Sequence, residues 1–596
     1  MIKPLFDWLD QRTGYRKLTH EALYENVPGG ARWRYVWGST LTFALIIQVI
    51  TGIVLWTAYS ASAQTSWESV HYIQDDMFLG WFVRGLHHFT AQAMIVLLVL
   101  HLMQVLIDGA YKAPRELNLW TGLILLLLVL GLSLTGYLLP WDQKGYWASR
   151  VVTNIAGITP IIGHDLQKLT VGGGDFGTPT LTRFLAFHAC VLPGLILVLI
   201  VGHIYLFRRH GITPKKPYKN VDAAFWPDQV LKDAVACLAV LAAVLFFVLR
   251  YHGADLGAPA NPAEPFDAAR PEWYFLFLYQ FLKYFPGETE IWGAIIIPTL
   301  IVGFLFVMPF LGRWKLGHRF NIGLVCALLA GAVLLTYLAL NEDRHNDRYQ
   351  VAVEQADQAA ERVRFLAQAN GGIPPDGALA LLANDPLTQG PKLFAANCAS
   401  CHRYGGTDGM GVKLDDAKAT ASDLKGFASR TWLAGLLNPA TVAGTHYFGG
   451  TKFKDDKMVG FVQDTLKNLS ADKKAQVDKI IAAVSAEAHL PAQQAADQAD
   501  AAKIAEGRQL LRTEISCVDC HQFQQPDAGA TAPDLTGYGS RDWLVSFLDD
   551  PAHPRFYGKD NDRMPSFGKT DRLSAHDIGL LADWLRGDWA TPKAEK

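Results

Sequence analysis

Seven runs of predominantly apolar residues, at about 36–58, 85–107, 118–139, 181–206, 230–250, 292–311 and 320–340, decide what this 596-residue chain can become. Each is close to the ~20 residues a helix needs to cross the hydrocarbon core of a bilayer. Inside lipid every backbone N–H and C=O must be satisfied within its own segment, so the runs are read as transmembrane helices. The first 30 residues lack the short apolar core of a signal peptide and carry Asp7, Asp10, Arg12, Arg16 and Lys17; they read as a surface helix ahead of the first span, with no cleaved signal. Beyond about residue 340 the apolar runs give way to a water-compatible mixture rich in Ala, Asp, Lys, Gln and Gly. A net charge of −2 argues against nucleic acid as a partner.

Basic residues orient the spans. Lys112 and Arg115 follow the second; Arg208, Arg209, Lys215, Lys216 and Lys219 follow the fourth; Arg313, Lys315 and Arg319 lie between the sixth and seventh. The stretch from Tyr59 to Val83 has neither Lys nor Arg. The positive-inside rule then places the N-terminus in the cytoplasm and, after seven crossings, the polar C-terminal region outside.

That region holds four of the seven cysteines, as Cys398-Ala-Ser-Cys401-His402 and Cys517-Val-Asp-Cys520-His521. C-x-x-C-H is the attachment signature of c-type haem, two thiols forming thioethers and the adjacent His ligating iron. The surroundings repeat too. Asp423-Leu-Lys-Gly-Phe-Ala-Ser-Arg-Thr-Trp-Leu433 parallels Asp534-Leu-Thr-Gly-Tyr-Gly-Ser-Arg-Asp-Trp-Leu544, and each copy continues with Pro-Ala and then a Met followed by Phe three residues on (Met458/Phe461, Met564/Phe567). Two tandem copies of a small helical haem domain account for this. They resemble the small cytochrome c fold, in which a downstream Met is the sixth ligand: Met458, with Met410 as its rival, in the first copy and Met564 in the second. Cys190, Cys237 and Cys326 stand alone in the spans and read as buried small hydrophobes.

Ionisable residues inside spans are costly and mark function. In the second span His87 and His101 are 14 positions apart, so they return to within roughly 40° of one face, about 21 Å apart along the axis. His88, 13 positions from His101, is turned away by roughly 140°. In the fourth span His188 and His203 are 15 apart, within about 60° of one face. If these two spans run parallel, His87 lies level with His188 and His101 with His203: two stacked pairs, each able to clamp one haem iron. Gly38 and Gly52 in the first span, and Gly122 and Gly136 in the third, repeat the spacing of 14 and leave room for a flat ligand's edges.

Together with Gly136-Tyr-Leu-Leu-Pro-Trp-Asp-Gln143 and Pro271-Glu-Trp-Tyr274, these features make residues 1 to about 340 resemble cytochrome b of the quinol–cytochrome c oxidoreductases (the cytochrome bc1/b6f family). The seven spans, the 15-residue spacing and Pro-Trp-Asp-Gln look more like the b6f branch. That branch attaches an extra haem through a first-span cysteine, where this chain has Val36, so none is expected. The fold class implied is all-α: a seven-helix haem-binding membrane bundle followed by two small helical cytochrome c domains. The expected organisation is a four-helix haem domain at 1–215, a three-helix domain at 216–340, a polar stalk at 341–380, and cytochrome c domains at 381–490 and 491–596.

The resemblance implies two non-covalent b haems (His87/His188 and His101/His203), two covalent c haems (Cys398, Cys401, His402; Cys517, Cys520, His521) and a quinol/quinone substrate. Glu272 and Tyr274 then belong to an outer quinol site and Asp233 with Lys232 to an inner quinone site; Arg208 would meet quinone or a haem propionate, and Arg84 an outer-haem propionate. A Q-cycle follows from the same resemblance. The chain's paired cysteines are all committed to haem, which calls for a separate Rieske iron–sulfur subunit. The remaining implied partners are the membrane quinone pool, a soluble or membrane-bound cytochrome c or terminal oxidase as acceptor, and a second copy of the chain as homodimer. Since c-type haem is attached on the outer side of the bacterial inner membrane, the resemblance agrees with the charge count in placing the C-terminal half in the periplasm. The competing reading is a dihaem b anchor whose cytochrome c tail serves as an electron wire without quinol bifurcation.

Overall fold

A computed structural model describes residues 2–214, 221–515, 517–525 and 529–591. Lys215, Lys216 and Lys219 of the basic loop, and the expected boundary at 215/216, lie outside the described residues. The described chain is helical apart from isolated bridges and one two-residue antiparallel pairing, Asn26–Val27 with Ala223–Ala224. It forms two compact units, Met1–Arg364 with Ile373–Leu379, and Phe365–Gly372 with Ala380–Lys596. The first unit therefore continues some way past the expected edge at residue 340: the helix Asp347–Ala369, foreseen as a stalk, spends most of its length in it.

All seven expected spans are helices: α1 (Trp37–Trp56), α2 (Gly80–Asp108), α3 (Glu116–Leu138), α4 (Thr178–His210), α5 (Phe225–Tyr251), α6 (Gly287–Leu311) and α7 (Lys315–Arg344). Their outer faces stay apolar and open, as lipid requires and water would forbid. Cys190 and Cys326 sit on such open faces, so the expectation of burial fails for them; in a lipid-facing bundle an apolar side chain is well solvated outside the core. α2 ends at Gly109 in the left-handed region (φ 66°), a conformation that costs glycine nothing. Within α4, Phe187–Val191 forms a π-turn. A π-turn takes up one extra residue, so the 15-residue interval from His188 to His203 behaves as 14 and matches that of α2.

α2 packs on α1 and α5, and α3 on α4, enclosing a core of Ala44, Met94, Ile95, Leu125, Val129 and Ile196. This core separates two levels of the bundle, one at each end of the α2–α4 histidine spacing.

The second unit contains α8 (Pro386–Asn397), α9 (Arg430–Leu436), α10 (Ala471–Ala486), α11 (Ala501–Thr513), α12 (Arg541–Asp549) and α13 (Ala575–Arg586). The expected division at 490/491 would pair α8 with α10 and α11 with α13. Instead α8 packs against α13, and α10 against α11. Phe394 of α8 meets Trp584 of α13 at 5.5 Å between ring centres, and Tyr404 stacks on Trp584 at 4.3 Å. Lys479 of α10 forms a 2.6 Å ion pair with Glu506 of α11. Glycine permits both close approaches: a methyl group at Gly390 would collide with Trp584, and one at Gly507 with the Lys479 carbonyl and Ala483. Gly390→Val is accordingly expected to destabilise the second unit by about 1–3 kcal/mol. Chemical denaturation followed by circular dichroism checks this, and an unchanged midpoint would contradict the close approach.

Candidate functional site

The two histidine pairs predicted from helical phase are present. The rings of His87 and His188 lie 6.2 Å apart between centres, those of His101 and His203 6.4 Å. Two imidazoles on opposite sides of one metal ion, with metal–nitrogen bonds of about 2.0–2.1 Å and nitrogens roughly 1.1–1.2 Å from the ring centres, would stand about 6.3 Å apart. Both pairs therefore have the separation that clamping one iron requires. His88 points elsewhere, its Nε2 2.7 Å from Gln92 Nε2.

A second layer sets the orientation of the rings. The Thr51 hydroxyl donates to Ile47 O and leaves its oxygen to accept from His87 Nδ1–H at 2.9 Å. Thr121, donating to Leu117 O, does the same for His203 Nδ1 at 3.0 Å. Thr135, donating to Gly131 O, lies 3.2 Å from His188 Nδ1, whose proton the Leu132 carbonyl also accepts at 3.1 Å. With the proton held on Nδ1, the Nε2 lone pair is left bare, the state a metal ligand needs. His101 Nδ1 is the exception, buried without a partner among the described residues.

The four glycines each face one of these rings. A Cβ would stand 3.3 Å from His87 Cε1 at Gly52, 3.8 Å from His101 Cε1 at Gly38, 3.1 Å from His203 Cε1 at Gly122 and 2.6 Å from His188 Cε1 at Gly136. The residues thus fit two non-covalent haems: paired ligands at the right separation, fixed tautomers at three of four, and close passages kept clear of Cβ atoms. The three Thr-Gly dipeptides were visible in the sequence, and their recurrence opposite three histidines is the signal that would have found the threonines.

At one end of the bundle, Pro140-Trp-Asp-Gln143 pins the loop that leads to Pro271-Glu-Trp-Tyr274. Buried Asp142 accepts from Gly145 N at 2.8 Å and from Gly257 N at 3.1 Å; Gln143 N donates to Ala258 O, and Gln143 Oε1 accepts from Asn261 N. Arg270 anchors the motif to α7 through a 2.7 Å ion pair with Asp343, and Tyr137 donates to Arg270 O at 3.2 Å. The half-buried Glu272 is held above the usual carboxyl range by burial; Asp142 and Asp255 push the same way and Lys144 opposes them. Tyr274 packs against the bundle core and is raised as a phenol by burial and by Glu272. Lys144 and Asp255, 3.3 Å apart, and Asp142 were not expected at this site; they are far from Glu272 in sequence and are brought there by the loop.

Arg84 is engaged by protein: its guanidinium donates to Gln74 Oε1 at 2.8 Å and to the carbonyls of Ala254 and Asp255 at 2.6 Å each. It holds the same loop. At the other end of the bundle Asp233 is buried, accepting from Ser39 Oγ and Gln229 Nε2 at 2.8 Å each. Among the described residues no ion pair joins it to Lys232, so the expected partnership of those two is sequential only. Arg208 reaches Glu25 at 3.7 Å.

In the second unit His402 N donates to Cys398 O and His521 N to Cys517 O, giving both C-x-x-C-H segments the same tight turn. His402 Nδ1 lies 2.7 Å from Ser422 O and His521 Nδ1 2.7 Å from Pro533 O, which again leaves Nε2 bare. The donor sets fit covalent haem. Met564 belongs to the apolar cluster that contains Cys398, and Met458 to the one that contains Cys517.

The chain is similar to known proteins in both regions. Family models described as cytochrome b(N-terminal)/b6/petB, cytochrome b(C-terminal)/b6/petD and cytochrome c match residues 92–265, 259–355 and 387–482. Cytochrome b of Rhodobacter capsulatus is 33% identical over 311 residues, half of this chain and 70% of that protein. The menaquinol:cytochrome c reductase cytochrome b subunit of Bacillus subtilis is 37% identical over 36% of this chain and 99% of its own length. Cytochrome b6 of Rippkaea orientalis is 34% identical over 35% of this chain and 95% of its own.

Proposed function

The chain belongs to the cytochrome b family and carries cytochrome c on the same polypeptide; from that premise we propose that it is the cytochrome b–dihaem cytochrome c fusion subunit of a quinol:cytochrome c oxidoreductase. The observation that carries the proposal is the pair of facing histidines at each of two levels of one membrane bundle. His87 with His188, and His101 with His203, would hold two b haems, and the two C-x-x-C-H segments two c haems. When bound, these groups would supply one-electron carriage between the quinone sites and an external acceptor.

Quinol is oxidised at the outer end, beside Glu272 and Tyr274, and quinone is reduced at the inner end, beside Asp233, Lys232 and Arg208. Each quinol would give up two electrons, one to the cluster that a separate Rieske iron–sulfur subunit would supply and one to the haems that the four histidines would hold. At the outer end a Glu272 carboxylate oxygen accepts a quinol proton. Its raised affinity suits an acceptor working near neutral pH, and Lys144 keeps that affinity from rising so far that the carboxylate is lost. Tyr274 lines the same pocket. At the inner end Asp233, in its protonated form, donates a proton to the reduced quinone, and the Ser39 and Gln229 donors hold the carboxylate that is left. The protein sits in the bacterial inner membrane as part of a dimeric complex, N-terminus cytoplasmic and c-haem region periplasmic, and passes electrons to a cytochrome c or a terminal oxidase.

The test is a quinol assay on the purified complex. Reduction of cytochrome c by quinol, blocked by quinone analogues and lost on removal of the Rieske subunit, is expected. Rapid haem-to-haem transfer without any quinol dependence would establish the electron wire in its place.

The electrostatics give a further expectation. Only the deprotonated Glu272 accepts, so activity falls as pH drops through its raised pKa, and the acid limb lies above the ~4.3 of an ordinary Glu. Lys144→Gln removes the one lowering influence and leaves Asp142 and Asp255 unopposed. The acid limb of the kcat/KM profile should then move to higher pH; a limb that stays or moves down would refute the assignment.

A further inference from the structure

The two copies of the haem-bearing repeat do not close on themselves. One apolar cluster gathers Phe394, Cys398, Leu424 and Tyr404 of the first copy with Leu548, Met564, Phe567, Ile578, Leu581 and Trp584 of the second. The other gathers Cys517, Phe523 and Leu535 of the second with Leu433, Met458, Phe461, Val462 and Ile480 of the first. No residue between 428 and 490 belongs to the cluster around Cys398. Arg563, next to Met564, is within electrostatic reach of Cys401.

The chain changes sides at two equivalent points. These are Gly426-Phe427-Ala428 and Gly537-Tyr538-Gly539, inside the very stretch that the sequence repeats. Ala428 (φ 61°) and Gly539 (φ 74°) share the left-handed conformation, and the Phe427 and Tyr538 rings meet at 5.3 Å. Ala428 is buried together with Ala488 and Leu490, and the buried Arg586 donates to the carbonyls of Gly539 and Ala488, fastening the crossing. An alanine keeping positive φ at one crossing, where the equivalent residue is glycine, is strain that a merely flexible turn would not retain.

We propose that each c haem is completed across the copies: the haem on Cys398, Cys401 and His402 takes Met564 as its second axial ligand, and the haem on Cys517, Cys520 and His521 takes Met458. This rests on the reading of both C-x-x-C-H segments as c-haem sites. It departs from the contiguous arrangement that the cytochrome c family match over 387–482 would suggest, in which His402 and Met458 serve one haem. Exchange of equivalent elements is familiar between protomers; here the tandem copies exchange them within one chain.

The test uses the full-length complex with the second attachment site disabled (Cys517→Ala, Cys520→Ala), so that the first motif carries the only c haem. Met564→His should convert that haem from His/Met to His/His ligation, with its visible spectrum changed and its midpoint potential lowered, since Met ligation raises potential. Met458→His should leave both unchanged. A shift with Met458→His or Met410→His, and none with Met564→His, overturns the proposal. Covalent haem staining runs alongside: absence of stain in the parent protein would overturn the haem-site reading itself, and the proposal with it. A second measurement does not depend on ligation. In the haem-loaded protein with both attachment sites intact, a zero-length carbodiimide should couple Lys479 to Glu506, 2.6 Å apart, joining α10 of the first copy to α11 of the second, as seen by peptide mapping. Absence of that cross-link overturns the crossed pairing.

Discussion

Gly136→Val is expected to remove about half of the haem b from the purified protein and to leave haem c untouched. Even the first carbon of the new side chain would stand 2.6 Å from His188 Cε1, 3.2 Å from Nδ1 and 3.3 Å from Nε2. The ring cannot stay, and its Nδ1–H leaves the acceptors beside Gly136, Leu132 O and the Thr135 hydroxyl. His87 is then left without an opposing ligand. The level occupied by His101 and His203 is remote from the change and keeps its pair. Gly38→Ala is the natural contrast, because a Cβ there has 3.8 Å to His101 Cε1, ordinary contact. Haem quantification by reduced spectra, with a redox titration to identify the surviving b haem, measures both. Equal b-haem content in Gly136→Val and Gly38→Ala would sink the assignment of these glycines to the histidines they face.

Glu272→Gln is expected to lower quinol–cytochrome c turnover by about 10²-fold or more, the usual contribution of a positioned proton acceptor. The amide has nearly the shape of the carboxyl group, so haem content and quinol binding should change little, and kcat should carry the loss. The acid limb of the pH profile should go with it, because the group that titrates there is gone. Turnover within a factor of two of the parent, with the acid limb intact, would assign proton acceptance to another group.

The arrangement of the b-type site was legible because it depends on helix period and on few residue types. Seven apolar runs fixed the spans, and intervals of 14 and 15 residues placed His87, His101, His188 and His203 and dismissed His88. The interval of 15 left a residual misalignment, which the π-turn at Phe187–Val191 absorbs; no residue pattern announces a π-turn. The surroundings of Glu272 were not legible, since Asp142, Lys144 and Asp255 reach it through a loop that the Asp142, Gln143 and Arg84 side chains hold by backbone groups distant in sequence, pairings that no local pattern announces. Arg84 shows the converse: its position suggested an anionic ligand, yet loop carbonyls occupy it. The second unit was legible as two copies and not as a crossing, because a repeat specifies which elements fit together without saying which copy supplies them. Phe394 fits a partner of Trp584's kind, and nothing near it in sequence says that the partner lies ~190 residues away.

That separation governs how the molecule can be made. The body around Cys398 is not complete until the last helix, α13, has been made, so the first attachment segment must wait as an unfinished half, while the body around Cys517 has all its parts before α13 begins. During that wait it is open to haem attachment and to proteolysis alike. A chain that stopped after the first copy would hold no complete body at all, and the two bodies close in the reverse of the order in which their attachment segments stand in the sequence.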